Sequence, residues 1–578
     1  MAQFDLVVRG GTLADGLGGT PFDADVAIQG ACVAQVGRVS GVGRAEIDAR
    51  GKLVTPGFVD IHTHYDGQAV WDSHLAPSSW HGVTTAVMGN CGVGFAPVRP
   101  GDRQRLVELM EGVEDIPGAA LHEGLDWSWE SFEQYLEALA ARPHDMDLCA
   151  QLPHGALRVF VMGERGARLE KATPDDIAQM RALAARAMHA GAIGFSTSRT
   201  LNHRSVHGEP TPSLRASEDE LTAIALGLRD AGRGVIEFIS DFDTPDAPSE
   251  FAMVRRIVSA SQRPLSVSLA QRHGRPRFWR ELLAMIEAAA ADGLPIKAQV
   301  APRPIGVLLG LQGSRTPFSR CPRYQSIAER SLADKVATMR ESAFRAQLLR
   351  EAQAPLPRDQ AIRLRDYRRM YTFGDPPNYE PPAEASVAAI AERNGCTPAE
   401  AAYDLLLADE GRAFLYAPFA NYAEPNLDVC HEMLRSEHTL VGLGDGGAHV
   451  GVIADASYPT FLLSHWGRDR ASGRFPLGWL VRRHTLDNAR AVGLHDRGCV
   501  LPGMKADLNV IDMDKLGLDA PVMAYDLPAG GKRLLQRARG YAATIVSGQV
   551  VNIDGEHTGA LPGALVRGPQ RAPASAAA

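Results

Sequence analysis

The chain has 578 residues, 45% of them hydrophobic and 22% charged, a balance that buries a sizeable core and excludes disorder for the bulk of it. Lys and Arg number 60 against 68 Asp and Glu, a net charge of −8, and no basic run tracks phosphates, so nucleic acid is an unexpected partner. The longest stretch free of charged side chains, Ser73 to Val98, is broken by Pro77, Gly82, Gly89, Asn90 and Gly92, so no membrane span is expected. The N-terminus, MAQFDLVVRGG, lacks the basic and apolar regions of a secretory signal. The seven cysteines are widely spaced and form neither a disulfide framework nor a zinc knuckle. A reducing cytoplasm is the expected compartment.

Residues 4–55 read as short strands separated by Gly turns, and ADLNVID (506–512) and ATIVSGQVV (543–551) have the same texture. The two ends therefore predict one discontinuous β-sandwich, residues 1–55 and 487–578, closing with a disordered tail, GPQRAPASAAA. Between them apolar β runs alternate with helical patterns, the signature of a parallel α/β fold. Eight runs stand out: 57–62, 83–90, 146–153, 192–198, 234–240, 265–271, 295–301 and 440–445. Thr173-Pro174-Asp175-Asp176 offers a helix N-cap with Pro behind it, and Ser217-Glu218-Asp219-Glu220 reads as a capping box. Eight strands with interleaved helices predict a (β/α)₈ TIM barrel over 56–486. It carries a long insertion around 302–439, in which 355–385 reads as a loop over the barrel top.

His62-Thr63-His64 ends the first run. Residues i and i+2 of a strand face the same way, so both imidazoles can converge on one ion at the barrel's active rim. About 0.6 such pairs are expected by chance in this composition, so position carries more weight than spacing. Cys91 ends the second run among Gly89, Gly92 and Gly94, either as a buried apolar residue or as a thiolate ligand at the same rim. Asp445 ends the eighth run before a Gly pair, either as a turn residue or as a rim carboxylate.

PGFVDIHTHYD, WHGVTTAVMGNCGVGFAP, VGLGDGGAH and DRGCVLPGMKADLNVID together are similar to the amidohydrolase superfamily. More narrowly the chain resembles the N-acyl-D-amino-acid deacylase (D-aminoacylase) group, over nearly its whole length. The G-N-C-G element is the specific part, because that group uses this cysteine where most amidohydrolases use a lysine. The resemblance implies a metal-bearing barrel with a β-sandwich built from both ends. It implies His62, His64 and Cys91 as metal ligands, and Asp445 as ligand and general base. One or two divalent ions, zinc foremost, would acidify water for attack on an acyl carbonyl.

The chain departs from that pattern at strands five and six, GVIEFISDFD and LSVSLAQRHG, which lack the two further histidines the group supplies. Glu237 is the candidate oxygen ligand in their place; Asp241, Gln271 and His273 are the other polar residues nearby. His154, Arg199, His203, His207, Gln271 and His449 are candidates for substrate binding, and Arg199, Arg204, Arg272 and Arg303 for a substrate carboxylate. His557 reads as a surface residue. The expected reaction is hydrolysis of the amide of a small N-acylated amine, foremost an N-acyl amino acid. The same chemistry on a cyclic amide or lactone is the first alternative, and a non-catalytic relative the second, since fold does not select the substrate. The expected partner is a small-molecule substrate, with homo-oligomerisation left open.

Overall fold

A computed structural model describes residues 2–243, 245–357 and 364–574. Its centre is an eight-stranded, all-parallel sheet. The strands are Phe58–Asp60, Val83–Met88, Asp147–Pro153, Gly194–Arg199, Val235–Ser240, Leu265–Ser268, Ile296–Val300 and Thr439–Val441. Each of the eight apolar runs supplies one strand, in chain order. Val83–Met88 and Asp147–Pro153 are buried at every residue, as strands covered on both faces must be, which is why they read as continuous rather than alternating apolar runs. Beyond the first and eighth strands the ring is joined by two hydrogen bonds, Asp445 N–H to His62 O at 3.0 Å and His64 N–H to Gly446 O at 2.7 Å. The buried Asn488 amide spans the same seam lower down, donating to Val59 O at 2.9 Å and Val441 O at 2.7 Å. The seam thus holds His62, His64 and Asp445 in one backbone register.

The helix Pro174–Ala190 starts as expected, with Thr173 and Asp176 forming a reciprocal capping box. The second start signal is half right. Ser217 accepts from Glu220 N–H, but the Glu220 carboxylate turns inward, where it binds His154 Nε2 at 3.0 Å and Arg158 Nε at 2.8 Å. A buried ion pair outcompetes the exposed half of a capping box.

The insertion has a core of its own, containing Leu309, Phe318, Met339, Leu348, Tyr403 and Leu406. Its antiparallel strands Ile305–Leu309, Leu415–Ala420 and Tyr371–Thr372 form a separate sheet. The segment expected as a loop, 355–385, falls partly outside the described residues. Its remainder supplies the edge strand Tyr371–Thr372 and buries Met370 and Tyr379.

The two chain ends build one nine-stranded sheet. Phe4–Leu13 is long enough to serve two neighbours: it pairs with Gly43–Asp48 up to Arg9 and with Leu53–Pro56 from Thr12, bending at a bulge between Val8 and Gly11. Leu53–Pro56 then pairs with Leu508–Ile511, which joins the ends. The closing segment is not a free tail through Gln570, which exchanges backbone hydrogen bonds with Gly493 and His495; residues 575–578 lie outside the described residues. Short apolar-poor sequence gave no hint of this pairing, because it is made by backbone groups.

Candidate metal centre and active site

His62, His64 and Cys91 converge at the C-terminal end of the barrel, each offering one donor atom within 4.8 Å of the others. His62 Nε2 lies 3.4 Å from Cys91 Sγ and 3.4 Å from Asp445 Oδ1, and His64 Nε2 lies 3.7 Å from the same carboxylate oxygen. Tetrahedral bonds of ~2.0–2.3 Å put neighbouring donors roughly 3.3–3.8 Å apart, a range that holds the His62–Cys91, His62–Asp445 and His64–Asp445 spacings. The donor set of imidazole, thiol and carboxylate suits a borderline-soft ion better than magnesium or calcium.

Local backbone explains why these residue types sit where they do. Cys91, Leu443, Asp445 and His449 all have φ between 48° and 60°, the left-handed region that non-glycine residues seldom adopt, and such outliers gather at functional sites. Around Cys91 the turn is clamped. Its N–H donates to Glu237 Oε2 at 2.9 Å, Gly92 N–H donates to Ser196 Oγ at 3.0 Å, and Ser196 Oγ–H donates to Gly89 O. A Cβ on Gly89 would stand 2.5 Å from Gln151 O, so only glycine fits there. Asn90 ties the first two strands, donating to Thr63 O at 3.0 Å and Val87 O at 2.9 Å.

The electrostatics divide the two histidines. Burial pushes His62 down to about 4 despite Asp445. Burial also opposes charge on His64, but Glu114 and Asp445 outweigh it and lift His64 to about 9. Asp445 is driven well below the usual carboxylate range, its burial outweighed by the hydrogen bond from His64 and the charge of His62. Burial, then Glu237, raises the Cys91 thiol, and burial raises Glu237 to about 8. Binding a cation would reverse these directions at the thiol and His64 by displacing their protons.

Glu114 and Gln299 were not singled out from sequence. Glu114 ends the helix Arg103–Glu114, and its two buried carboxylate oxygens face His64 Nδ1 at 3.3 Å and His449 Nε2 at 3.6 Å. Neither oxygen has a hydrogen-bond partner among the described residues. Gln299, on the seventh strand, accepts from His62 Nδ1 at 2.8 Å while its amide donates to Ser266 Oγ at 2.9 Å. A buried Glu at a helix end and a Gln within a barrel strand, where apolar residues are the rule, are the signals that could have found them.

A cavity of about 220 Å³ opens over the centre, lined by His62, His64, Cys91, Asp445, His203, Ser268, Arg272 and His449, with Phe278 and Trp279 on one wall. Of the substrate-binding candidates, His203 and His449 line it. The other four do not. His154 is fully buried with both ring nitrogens engaged, by Thr197 Oγ1 at 2.8 Å and by Glu220. Arg199 is paired with Glu250 at 2.7 Å. Gln271 joins Glu424 and the Ala423 N–H. His207 is exposed beside Glu108, 3.5 Å away. Glu237 lies against the cavity floor through Cys91 rather than lining it, with Oε1 buried and unpartnered among the described residues. Among the four arginines only Arg272 borders the cavity. Arg303 is buried against Asp455, and Arg204 bonds the carbonyls of Leu201 and Gly208.

The amidohydrolase family pattern matches residues 45–552, and the chain belongs to that family; together with its deacylase relatives this makes it a hydrolase of carbon–nitrogen bonds other than peptide bonds. The D-aminoacylase of Alcaligenes xylosoxydans xylosoxydans is 30% identical over 359 residues, which is 58% of this chain and 66% of that one. A solved structure of D-aminoacylase, a protein with a binuclear metal center, matches with a TM-score of 0.64 at 25% identity, covering 98% of this chain and 100% of the other. The N-acyl-D-glutamate deacylase of Bordetella bronchiseptica, solved with zinc and a phosphonate inhibitor, shares the fold with a TM-score of 0.63 at 22% identity, covering 98% and 99%. Among the described residues no helix is long and apolar enough to cross a membrane.

Proposed function

We propose that the chain hydrolyses the amide of a small N-acylated amine, foremost an N-acyl amino acid, with zinc or a related divalent ion held by His62, His64, Cys91 and Asp445. The observation that carries this reading is the convergence of those four side chains on one cavity at the barrel's active rim. When bound there, the ion supplies Lewis acidity, which acidifies water and polarises an acyl carbonyl.

The chain's own residues divide the remaining work. Asp445 stays a carboxylate at neutral pH, so one oxygen is free to take the proton of an attacking water and return it to the leaving nitrogen. The depressed proton affinity of Asp445 makes it a weak base toward bulk water and a sufficient one toward acidified water. His203 and His449 flank the cavity and supply polar contacts to the acyl group. Arg272, stacked with its guanidinium carbon 5.0 Å from the Phe278 ring centre, offers charge for a substrate carboxylate, and the apolar wall of Phe278, Trp279 and Leu282 suits an acyl or side-chain group.

The test is a release assay on N-acyl D- and L-amino acids, cyclic amides and lactones, with metal counted in the same preparation. Chelator-sensitive amine release from an N-acyl amino acid is the expected result. Turnover confined to cyclic amides or lactones would move the substrate to that class. Fewer than ~0.2 ions per chain with no chelator-sensitive hydrolysis would overturn the proposal.

A further inference from the structure

Far from the rim, three polar side chains that the reaction does not use meet at one point. Asp145 lies just before the third barrel strand, at the N-terminal end of the barrel. His74 belongs to the loop that follows the short helix Gln68–Trp71, on the way to the second strand, and His557 to the short strand Glu556–His557, which pairs with Gln549–Ile553 at the edge of the terminal sheet. His557 is therefore not a free surface residue. Its ring packs against that of His74 in a tilted arrangement, with centroids 4.0 Å apart and planes 33° apart.

Both Nδ1 atoms aim at the same oxygen. His74 Nδ1 is 3.7 Å and His557 Nδ1 is 3.8 Å from Asp145 Oδ2, and the Asp145 side chain has no solvent exposure. All three atoms are buried without a hydrogen-bond partner among the described residues. The other carboxylate oxygen is already used, accepting from Leu75 N–H at 3.0 Å. Asp145 N–H in turn donates to Ser73 O at 2.9 Å, which fixes the His74 loop against it.

These distances discriminate between fillings. A hydrogen bond needs ~2.7–3.2 Å, so direct pairing leaves both imidazoles short of the carboxylate. Donors around a tetrahedral ion bound at ~2.0–2.1 Å lie roughly 3.3–3.5 Å apart, which the observed spacings approach within a few tenths of an ångström. One proton can serve one histidine only, whereas one cation satisfies all three orphaned atoms and lets the adjoining rings stay neutral.

We propose that His74, Asp145 and His557 form a second, non-catalytic binding site for a zinc-type divalent ion. Two imidazoles and one carboxylate select first-row transition ions over magnesium or calcium. Three protein donors leave a fourth tetrahedral position, which a water would fill. Because the site lies at the opposite end of the barrel from the reaction, its role is to tie the terminal sheet to the barrel. This inference does not depend on the proposed reaction.

The experiment uses the full chain, stripped with chelator and reloaded with zinc chloride alone, with ions per chain counted by plasma mass spectrometry and unfolding followed by temperature. The unsubstituted chain is expected to hold about one ion more than His557→Gln or Asp145→Asn. Zinc-loaded turnover should be unchanged in both variants, and zinc should raise their melting temperatures less than that of the unsubstituted chain. His557→Gln, on a partly exposed hairpin, serves as the reading should Asp145→Asn fail to fold. A zinc count that falls in Cys91→Ala but is unchanged in His557→Gln would overturn the proposal.

Discussion

The Gln299 side-chain oxygen accepts the Nδ1 hydrogen of His62 at 2.8 Å, and the Gln299 amide nitrogen donates to Ser266 Oγ. An amide oxygen can only accept, so the hydrogen of His62 is fixed on Nδ1 and the lone pair of Nε2 points at Cys91 and Asp445. Partners of this kind set tautomer and ring orientation and are worth about 10–100-fold in metal affinity. Gln299→Leu, which keeps volume but cannot accept, should weaken zinc binding by about that factor in competition with a chelator. Gln299→Glu should keep most of the affinity. Equal affinity in Gln299→Leu would show that packing alone orients His62.

Cys91 is held in a left-handed turn and buried, and its thiol is raised by that burial and by Glu237. Only a neighbouring cation makes such a sulfur a thiolate at neutral pH. Cys91→Ala should therefore lower zinc occupancy of the rim site, with the melting temperature of the metal-free protein changed little. Unchanged occupancy would mean that Cys91 only fills the core.

Asp445→Asn leaves an oxygen donor and both backbone hydrogen bonds across the barrel seam, but removes the proposed proton acceptor. Metal content should stay near that of the unsubstituted chain while kcat falls by about 10²–10⁴-fold, the usual worth of a general base. Full activity with full metal would assign the base to another residue, and His449 beside Glu114 would be the first to examine.

The sequence and the fold agree most closely where a signal repeats. Eight apolar runs gave eight strands because a strand buried on both faces has no polar alternation to obscure it. The convergence of His62, His64, Cys91 and Asp445 was legible because they sit at the ends of such runs, and strand ends share one rim. The substrate-binding candidates were harder to place for a physical reason. His154 and Arg199 also lie at strand ends, yet Glu220 and Glu250 arrive from the helices Glu218–Asp230 and Ala247–Ser261 and engage them in the interior. Side-chain pairing between distant elements leaves no periodicity. Glu114 was missed for the same cause: its importance lies in two imidazoles that the chain brings to it from elsewhere.

Arg272 tests the carboxylate half of the substrate reading. Its guanidinium is partly engaged, by Asp241 O at 3.0 Å and Asp243 at 3.3 Å, and it borders the cavity. Arg272→Met should raise KM for an N-acyl amino acid about tenfold or more, since hydrogen bonds to charged groups are worth ~1.5–3 kcal/mol. The KM for the matching N-acyl amine without a carboxylate should barely move. An equal rise for both substrates would assign Arg272 to shaping the loop instead.

Glu380 carries a pH prediction independent of the metal centre. Its carboxylate accepts from His465 Nε2 at 2.8 Å, Arg470 Nη2 at 3.0 Å and Leu427 N–H at 2.8 Å. Burial opposes ionisation there, but the bonds from His465, Arg470 and Leu427 win and pull Glu380 from 4.5 down to about 2. Because the folded value lies below the unfolded one, the contribution is fully present above pH 4.5 and is lost as pH falls toward 2. Glu380 joins the insertion to Arg470 and to the segment after the eighth strand, so acid should loosen that contact. The melting temperature of the unsubstituted chain should therefore fall more steeply between pH 5 and pH 3 than that of Glu380→Gln, which has no proton to gain. At neutral pH Glu380→Gln should be the less stable of the two, because Arg470 keeps only Asp428, at 2.6 Å, as a charged partner. Parallel melting profiles for the two proteins across that range would remove Glu380 from any role in acid stability.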